Sequence, residues 1–238
     1  MSASGALLDL SLEFRRPRSL SDQIYLSLRD AIIKGSLPAG SRLLETDIAH
    51  RMGTSQAPVR EAVQHLVNDG LVVKPKRSSA VVAEATLEDY YELFQVRSLI
   101  ERLAVRRVAG KVTDEQCRIL QQLIDRMCDA AGDSDLLTLS VNDMEFHRLI
   151  CEWSDNPSLL RAWLPLSAQV LHFLTQYEID DYESPGQIAE EHRHLLAALC
   201  SGDTDRAEAL WNDHVLTSFR RLEDVRRAQS GVQEEGPP

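Results

Sequence analysis

A chain of 238 residues, 43% hydrophobic and 26% charged, carries enough apolar material for two ordinary domains and excludes a disordered polymer. No apolar run approaches the ~18 residues that a membrane-spanning helix needs. The net charge of −11 is unevenly placed: residues 1–83 hold 11 Lys/Arg against 8 Asp/Glu, and residues 84–238 hold 15 against 29. A mildly basic front and an acidic back predict different partners, and nucleic acid suits only the front. The opening "MSASGALLDLSLEFRRPR" has its basic cluster after the apolar residues, the reverse of a secretory signal. The four cysteines, Cys117, Cys128, Cys151 and Cys200, form no CxxC pair, which predicts reduced thiols in a cytoplasmic protein.

Residues 1–18 are read as an arm. The first periodic segment, "SLSDQIYLSLRDAIIKG", predicts a helix with Ser21 as N-cap, Ile24, Leu28 and Ile32 on one stripe, and Gly35 as its stop. After the turn "LPAGSRL" come a short helix in "ETDIAHRMG" and a third in "SQAPVREAVQHLVNDG". Thr54 and Ser55 offer cap oxygens for the third, and Pro58 falls in its tolerant first turn. Val59, Val63, Leu66 and Val67 form its apolar stripe and Gly70 closes it. "LVVK" and "AVVA", joined by the basic turn "PKRSS", predict a two-stranded hairpin. Residues 19–84 therefore predict a winged helix-turn-helix of three helices plus a β-hairpin.

On the third helix Gln56, Arg60 and Gln64 recur at i, i+4 and i+8, opposite the apolar stripe. A recognition helix needs that division: one face packs while amide and guanidinium groups reach base edges. Arg51, Lys74, Lys76 and Arg77 are placed to meet phosphates. The stretch "GSRLLETDIAHRMGTSQAPVREAVQHLVNDGLV" resembles the N-terminal domain of GntR-type bacterial transcription regulators. The resemblance implies double-stranded operator DNA as a partner, with contacts at Ser55, Gln56, Ala57, Arg60 and the wing around Arg77. Thr46 and Gln56 stand where that family commonly has arginine, and "RSS" replaces its glycine-containing wing tip. Loss of guanidinium forks predicts an altered operator sequence or weaker phosphate anchoring, with DNA binding retained.

From Thr86 onward only helical signals appear, over about 86–110, 113–131, 135–154, 157–178, 185–201 and 203–229. Residues 85–229 predict an all-α helical bundle, and 230–238, "SGVQEEGPP", a disordered tail. In "VNDMEFHRLIC", Asp143 and His147 lie four apart on the apolar side of a helix, beside Phe146, Ile150 and Cys151. In "QIAEEHRHLLAAL", His192 joins Ile188, Leu196 and Leu199, while His194 faces water. His214 shares a stripe with Ala207, Leu210, Trp211, Leu222 and Val225. A lone inward histidine is ordinarily a hydrogen-bonded core residue. One carboxylate and three imidazoles on three helices instead suit a divalent cation, Zn²⁺ foremost, Ni²⁺ or Mn²⁺ as alternatives.

"LFQVRSLIERLAVRRVA", "NDMEFHRLI", "DNPSLL" and "EEHRHLLAALCSGDTDRAEALWNDHV" resemble the all-helical effector domain called FCD, found in the FadR branch of the GntR family. The family's ligand positions fall on Asp143, His147, His192 and His214, and its metal commonly holds a carboxylate effector or shapes the pocket. Arg97 matches a position able to pair with an acidic effector. Where the family often carries arginines, the helix "LLRAWLPLSAQVLHFLTQYEI" has His172, Phe173 and Tyr177, so His172 and Tyr177 join Arg97 as candidate effector contacts. The resulting expectation is a cytoplasmic homodimeric repressor answering to an organic acid. A metal sensor without organic ligand is one alternative. A helical-bundle metalloenzyme is another, opposed by the absence of a general base beside the ligands, since Glu145 and Glu191 project outward on the helical wheel.

Overall fold

The computed structural model describes residues 19–76, 78–176 and 185–231. Four expectations fall outside the described residues: the arm 1–18, Arg77, Tyr177 and the tail from 232, as do the side chains of Leu222 and Val225.

The N-cap of helix α1 (Leu20–Ile33) is Ser19, which corrects the expected Ser21. Ser19 Oγ accepts from the Asp22 amide, and the Asp22 carboxylate accepts from the Ser19 amide. This reciprocal box needs an acceptor three residues on, where Ser21 has only Ile24. Strand β1 (Arg42–Leu43), helix α2 (Glu45–Arg51), helix α3 (Gln56–Asn68) and strands β2 (Val72–Val73) and β3 (Ala80–Val82) follow. Ser55 occupies the N-cap of α3 without a side-chain cap bond. The expected two-stranded hairpin is a three-stranded antiparallel sheet in the order β1-β3-β2, with Val81 opposite both Arg42 and Val73. Two residues show no alternation, which is why β1 reads as part of a turn in sequence. Ile24, Leu28 and Ile32 of α1 meet Val59, Ala62, Val63 and Leu66 of α3 above Leu71, Val72, Ala80 and Val82.

The rest of the described chain is helical: α4 (Leu87–Val108), α5 (Asp114–Gly132), α6 (Leu136–Trp153), α7 (Pro157–Gln176), α8 (Pro185–Ser201) and α9 (Thr204–Gly231). Thr86 with Asp89 and Thr113 with Gln116 close capping boxes at the starts of α4 and α5. The apolar stripes converge on a core that includes Phe94, Leu120, Ile124, Phe146, Trp163 and Trp211. Helices α4 and α9 are joined by Ser98 Oγ donating to Asn212 and by Arg102 and Arg106, which both grip Glu208.

Helix α7 belongs to both halves. Ala168 is packed into the winged-domain core. Gln169 Nε2 donates to the Asp69 carbonyl at 2.9 Å, and His172 Nε2 lies 2.9 Å from the Ala83 carbonyl. Gly70 closes α3 at φ +73°, and a Cβ there would come 2.7 Å from the Gln169 amide nitrogen. The left-handed backbone favours glycine, and a Cβ there would displace the end of the Gln169 side chain from the Asp69 carbonyl.

Candidate metal centre and nucleic-acid interface

The expected DNA contacts lie at the surface because the apolar side of α3 packs inward. Ser55, Gln56, Ala57, Arg60 and Gln64 are exposed along that helix, with Arg51 at the end of α2 and Lys74 and Lys76 beyond β2. Two of these are not free cations. Arg60 Nε lies 3.0 Å from one carboxylate oxygen of Glu45, and Lys74 Nζ lies 2.7 Å from the other. The Lys74 ammonium, aided by Arg60, outweighs partial burial and holds the Glu45 carboxyl below its usual range. Gln64 donates to Asn68 one turn on. Glu45 thus gathers a helix residue and a wing-side residue into one group, a role that no sequence signal marked.

In the helical domain, α6 supplies Asp143 and His147, α8 His192 and α9 His214. One ligand atom from each lies within 4.8 Å of all the others. His147 and His192 have no exposed surface and His214 has 8%. His194, one residue beyond Arg193, is exposed, as expected.

The far nitrogen of each ring meets an oxygen. His147 Nδ1 lies 2.6 Å from Glu101, His192 Nδ1 2.8 Å from the Ile188 carbonyl, and His214 Nδ1 3.1 Å from Glu191. A carbonyl only accepts, so His192 Nδ1 carries a proton, and Nε2 faces the cluster. That Nε2 sits 2.8 Å from Asp143 Oδ1, and His147 Nε2 sits 3.6 Å from the same oxygen. Neither nitrogen makes an aligned hydrogen bond. A neutral ring would turn a lone pair on the carboxylate here, and the two repel unless a proton or a metal ion stands between them. The donor set therefore fits a divalent cation, and the oxygens behind the rings stand where the outer partners of ligating imidazoles stand. Burial opposes ionisation of Asp143, but His147 and His192 outweigh it and hold the carboxyl well below the ordinary range. Burial pushes His214 down to about 4, so its ring is neutral near pH 7.

Glu101 was missed in sequence and is the hub behind this cluster. It is 1% exposed and accepts from Arg97 Nε at 2.5 Å, Trp163 Nε1 at 2.7 Å and Trp211 Nε1 at 2.8 Å, besides His147. Burial penalises its charge, yet Arg97 and His147 prevail and keep it ionised. A signal was available: Arg97 and Glu101 stand four apart on the stripe of Tyr90, Phe94, Ala104, Val105 and Val108.

Arg97 is 2% exposed and lines a cavity of about 30 Å³ with Asp143, His214, Ser140 and Ser218. That is room for one or two waters. His172 is not among the lining residues and lies at the junction with the winged domain. Phe173 packs on Tyr90. Glu145 projects outward as expected and is paired with Arg148. The outward placement of Glu191 is corrected: it turns in to His214 Nδ1, because α9 packs against the α8 flank that carries it. Meeting the ring's far nitrogen, it orients the His214 imidazole.

Two family models match the chain: "Bacterial regulatory proteins, gntR family" over residues 20–82 and "FCD domain" over residues 92–217. A protein of Paenarthrobacter nicotinovorans named "Probable D-xylose utilization operon transcriptional repressor" is 31% identical over 188 residues, covering 77% of this chain and 80% of the relative. The HTH-type transcriptional repressor RspR of Escherichia coli K12 is 26% identical over 212 residues, 89% and 92% of the two chains. Among solved structures, E. coli McbR/YncC superposes with a TM-score of 0.74 at 24% identity, covering 87% of this chain and 98% of that one, which is a likeness of fold. The chain belongs to the GntR family of bacterial regulatory proteins, with an FCD domain behind its winged helix-turn-helix, and is a DNA-binding transcriptional regulator.

Proposed function

We propose that this protein is a repressor of the FadR branch whose operator affinity is set by a carboxylate ligand at a metal-bearing pocket formed by Asp143, His147, His192 and His214. One observation carries this: three imidazoles, each backed by an oxygen at Nδ1, converge on a single carboxylate in a buried site. A bound divalent cation supplies open coordination positions that water or a ligand carboxylate can take. Arg97, already on the cavity wall, supplies positive charge beside that position.

The small cavity supports a coupling mechanism. An acid larger than a pair of waters enters only if the walls move, and Val170 and Leu174 of α7 are two of them. The same helix holds Gln169 and His172 against the winged domain. Opening the pocket therefore bears on the seat of the DNA-binding domain, and operator binding must in turn change ligand affinity by the same factor. His172 acts here at the junction, while Ser55, Gln56, Ala57, Arg60 and Gln64, with Arg51, Lys74 and Lys76, form the DNA surface. We also propose a homodimer, supported by the outer face of α4, where Val96, Leu99 and Leu103 are 48%, 64% and 49% exposed at i, i+3 and i+7. Two winged domains then read half-sites about one helical turn apart.

The test combines elemental analysis of the purified protein with a thermal-shift screen of carboxylic acids. One divalent ion per chain and an acid-dependent rise in Tm, both lost in Asp143→Ala, are expected. Protein that carries no such ion and binds none on titration refutes the proposal. The small cavity favours a second reading in which the ion alone is the signal. Under it, chelation changes operator affinity while no acid shifts Tm.

A further inference from the structure

The four cysteines form no sequence motif, yet the fold brings two of them together. Cys117 lies in the first turn of α5 and Cys200 in the last turn of α8, 83 positions apart in sequence. Their Sγ atoms are 3.0 Å apart and both are free thiols. Cys200 is exposed and Cys117 half-buried. The pair lines an open surface cleft with Arg118 and Arg193, so a small oxidant reaches it without unfolding. Neither residue takes part in the metal centre or the DNA surface. A disulfide needs its sulfurs about 2.05 Å apart, so roughly 1 Å of side-chain movement closes the gap.

We propose that Cys117 and Cys200 form an oxidation-sensitive dithiol that closes to an intrachain disulfide between α5 and α8 on exposure to peroxide. In the first step one thiolate attacks a peroxide oxygen and the O–O bond breaks. A sulfenic acid forms and hydroxide leaves, which takes up the proton the thiol had released and departs as one water. The second sulfur then attacks the sulfenic sulfur, the S–O bond breaks, and the thiol proton departs with hydroxide as a second water. In balance, two thiols and one peroxide give one disulfide and two waters. Burial and the adjacent Cys117 thiol push the Cys200 thiol up to about 12, which leaves Cys200 as the protonated sulfur of the second step. The bond clamps α8, which carries His192 two turns before Cys200, to α5.

The full-length protein treated with hydrogen peroxide provides the test. Thiol titration under denaturing conditions is expected to lose two of the four thiols. Mass spectrometry is expected to show a monomer lighter by two hydrogens, with the peptides of Cys117 and Cys200 joined, and dithiothreitol to reverse both changes. Closing so long a loop is expected to raise Tm by roughly 5–10 °C. Cys128→Ser should behave as the parent, whereas Cys117→Ser and Cys200→Ser should lose the internal cross-link. Addition of oxygen at either cysteine without a cross-link, an interchain disulfide, or unchanged thiols would each overturn the proposal.

Discussion

The two halves of this molecule keep their polar chemistry in opposite places. The winged domain displays Gln56, Arg60, Gln64 and Lys76 on its surface, above an apolar core. The helical domain buries Arg97, Glu101, His147 and His192 at 0–2% exposure. Exposed polar groups cost almost nothing, so their presence says little until a binding partner explains it. Buried ones are costly unless satisfied, so each partner can be demanded and checked. The buried half accordingly reports its chemistry without a ligand, while the exposed half reports only that a partner can be met.

The largest expected effect breaks the buried side. Glu101→Leu leaves the Arg97 guanidinium and two indole N–H groups without their acceptor, so urea denaturation is expected to show a loss of about 3–5 kcal/mol. A loss below about 1 kcal/mol would mean that the hub is slack and that burial here reveals little.

Next is metal linkage. With Zn²⁺ at one hundred times its dissociation constant, the unfolding free energy of the parent is expected to rise by about 2.7 kcal/mol, and that of His147→Ala to stay level. An equal rise in both would move the ion elsewhere.

On the exposed side, Arg60→Ala is expected to weaken operator binding by about 1–3 kcal/mol in fluorescence anisotropy, with thermal stability unchanged. A change in Tm with no change in operator affinity would make Arg60 a partner of Glu45 and nothing more.

The smallest effect probes the seam between the halves. Gly70→Ala strains a left-handed residue and meets Gln169, with an expected cost of about 1 kcal/mol, and Gln169→Ala in the same chain should recover the steric share. Strict additivity of the two changes would show that α7 does not bear on the winged domain there.

Stripes of 3.6-residue period, bounded by cap, glycine-stop and turn residues, placed the helices of both domains to within about two residues, because such signals are local. Four inward ligand groups were legible for the same reason: a helical projection states which residues share a face, and Asp143, His147, His192 and His214 all fell on apolar ones. What projection cannot state is which helix lies opposite. Glu191 projected outward from α8 and yet meets His214 because α9 lies on that flank. Glu101 was passed over because an i, i+4 Arg–Glu pair looks alike on a surface and in a core.

Composition, stripes and motif order by themselves determined a winged helix-turn-helix, a helical bundle and the inventory of metal-type ligands, since each rests on spacing along one element. Only the tertiary structure decided that Glu101 and Glu191 stand behind the histidine rings, that Glu45 holds Arg60 and Lys74, that α7 spans both domains, and that Cys117 meets Cys200. Those contacts join residues far apart in sequence. They exist because helix packing places particular faces together, and no local pattern encodes that choice.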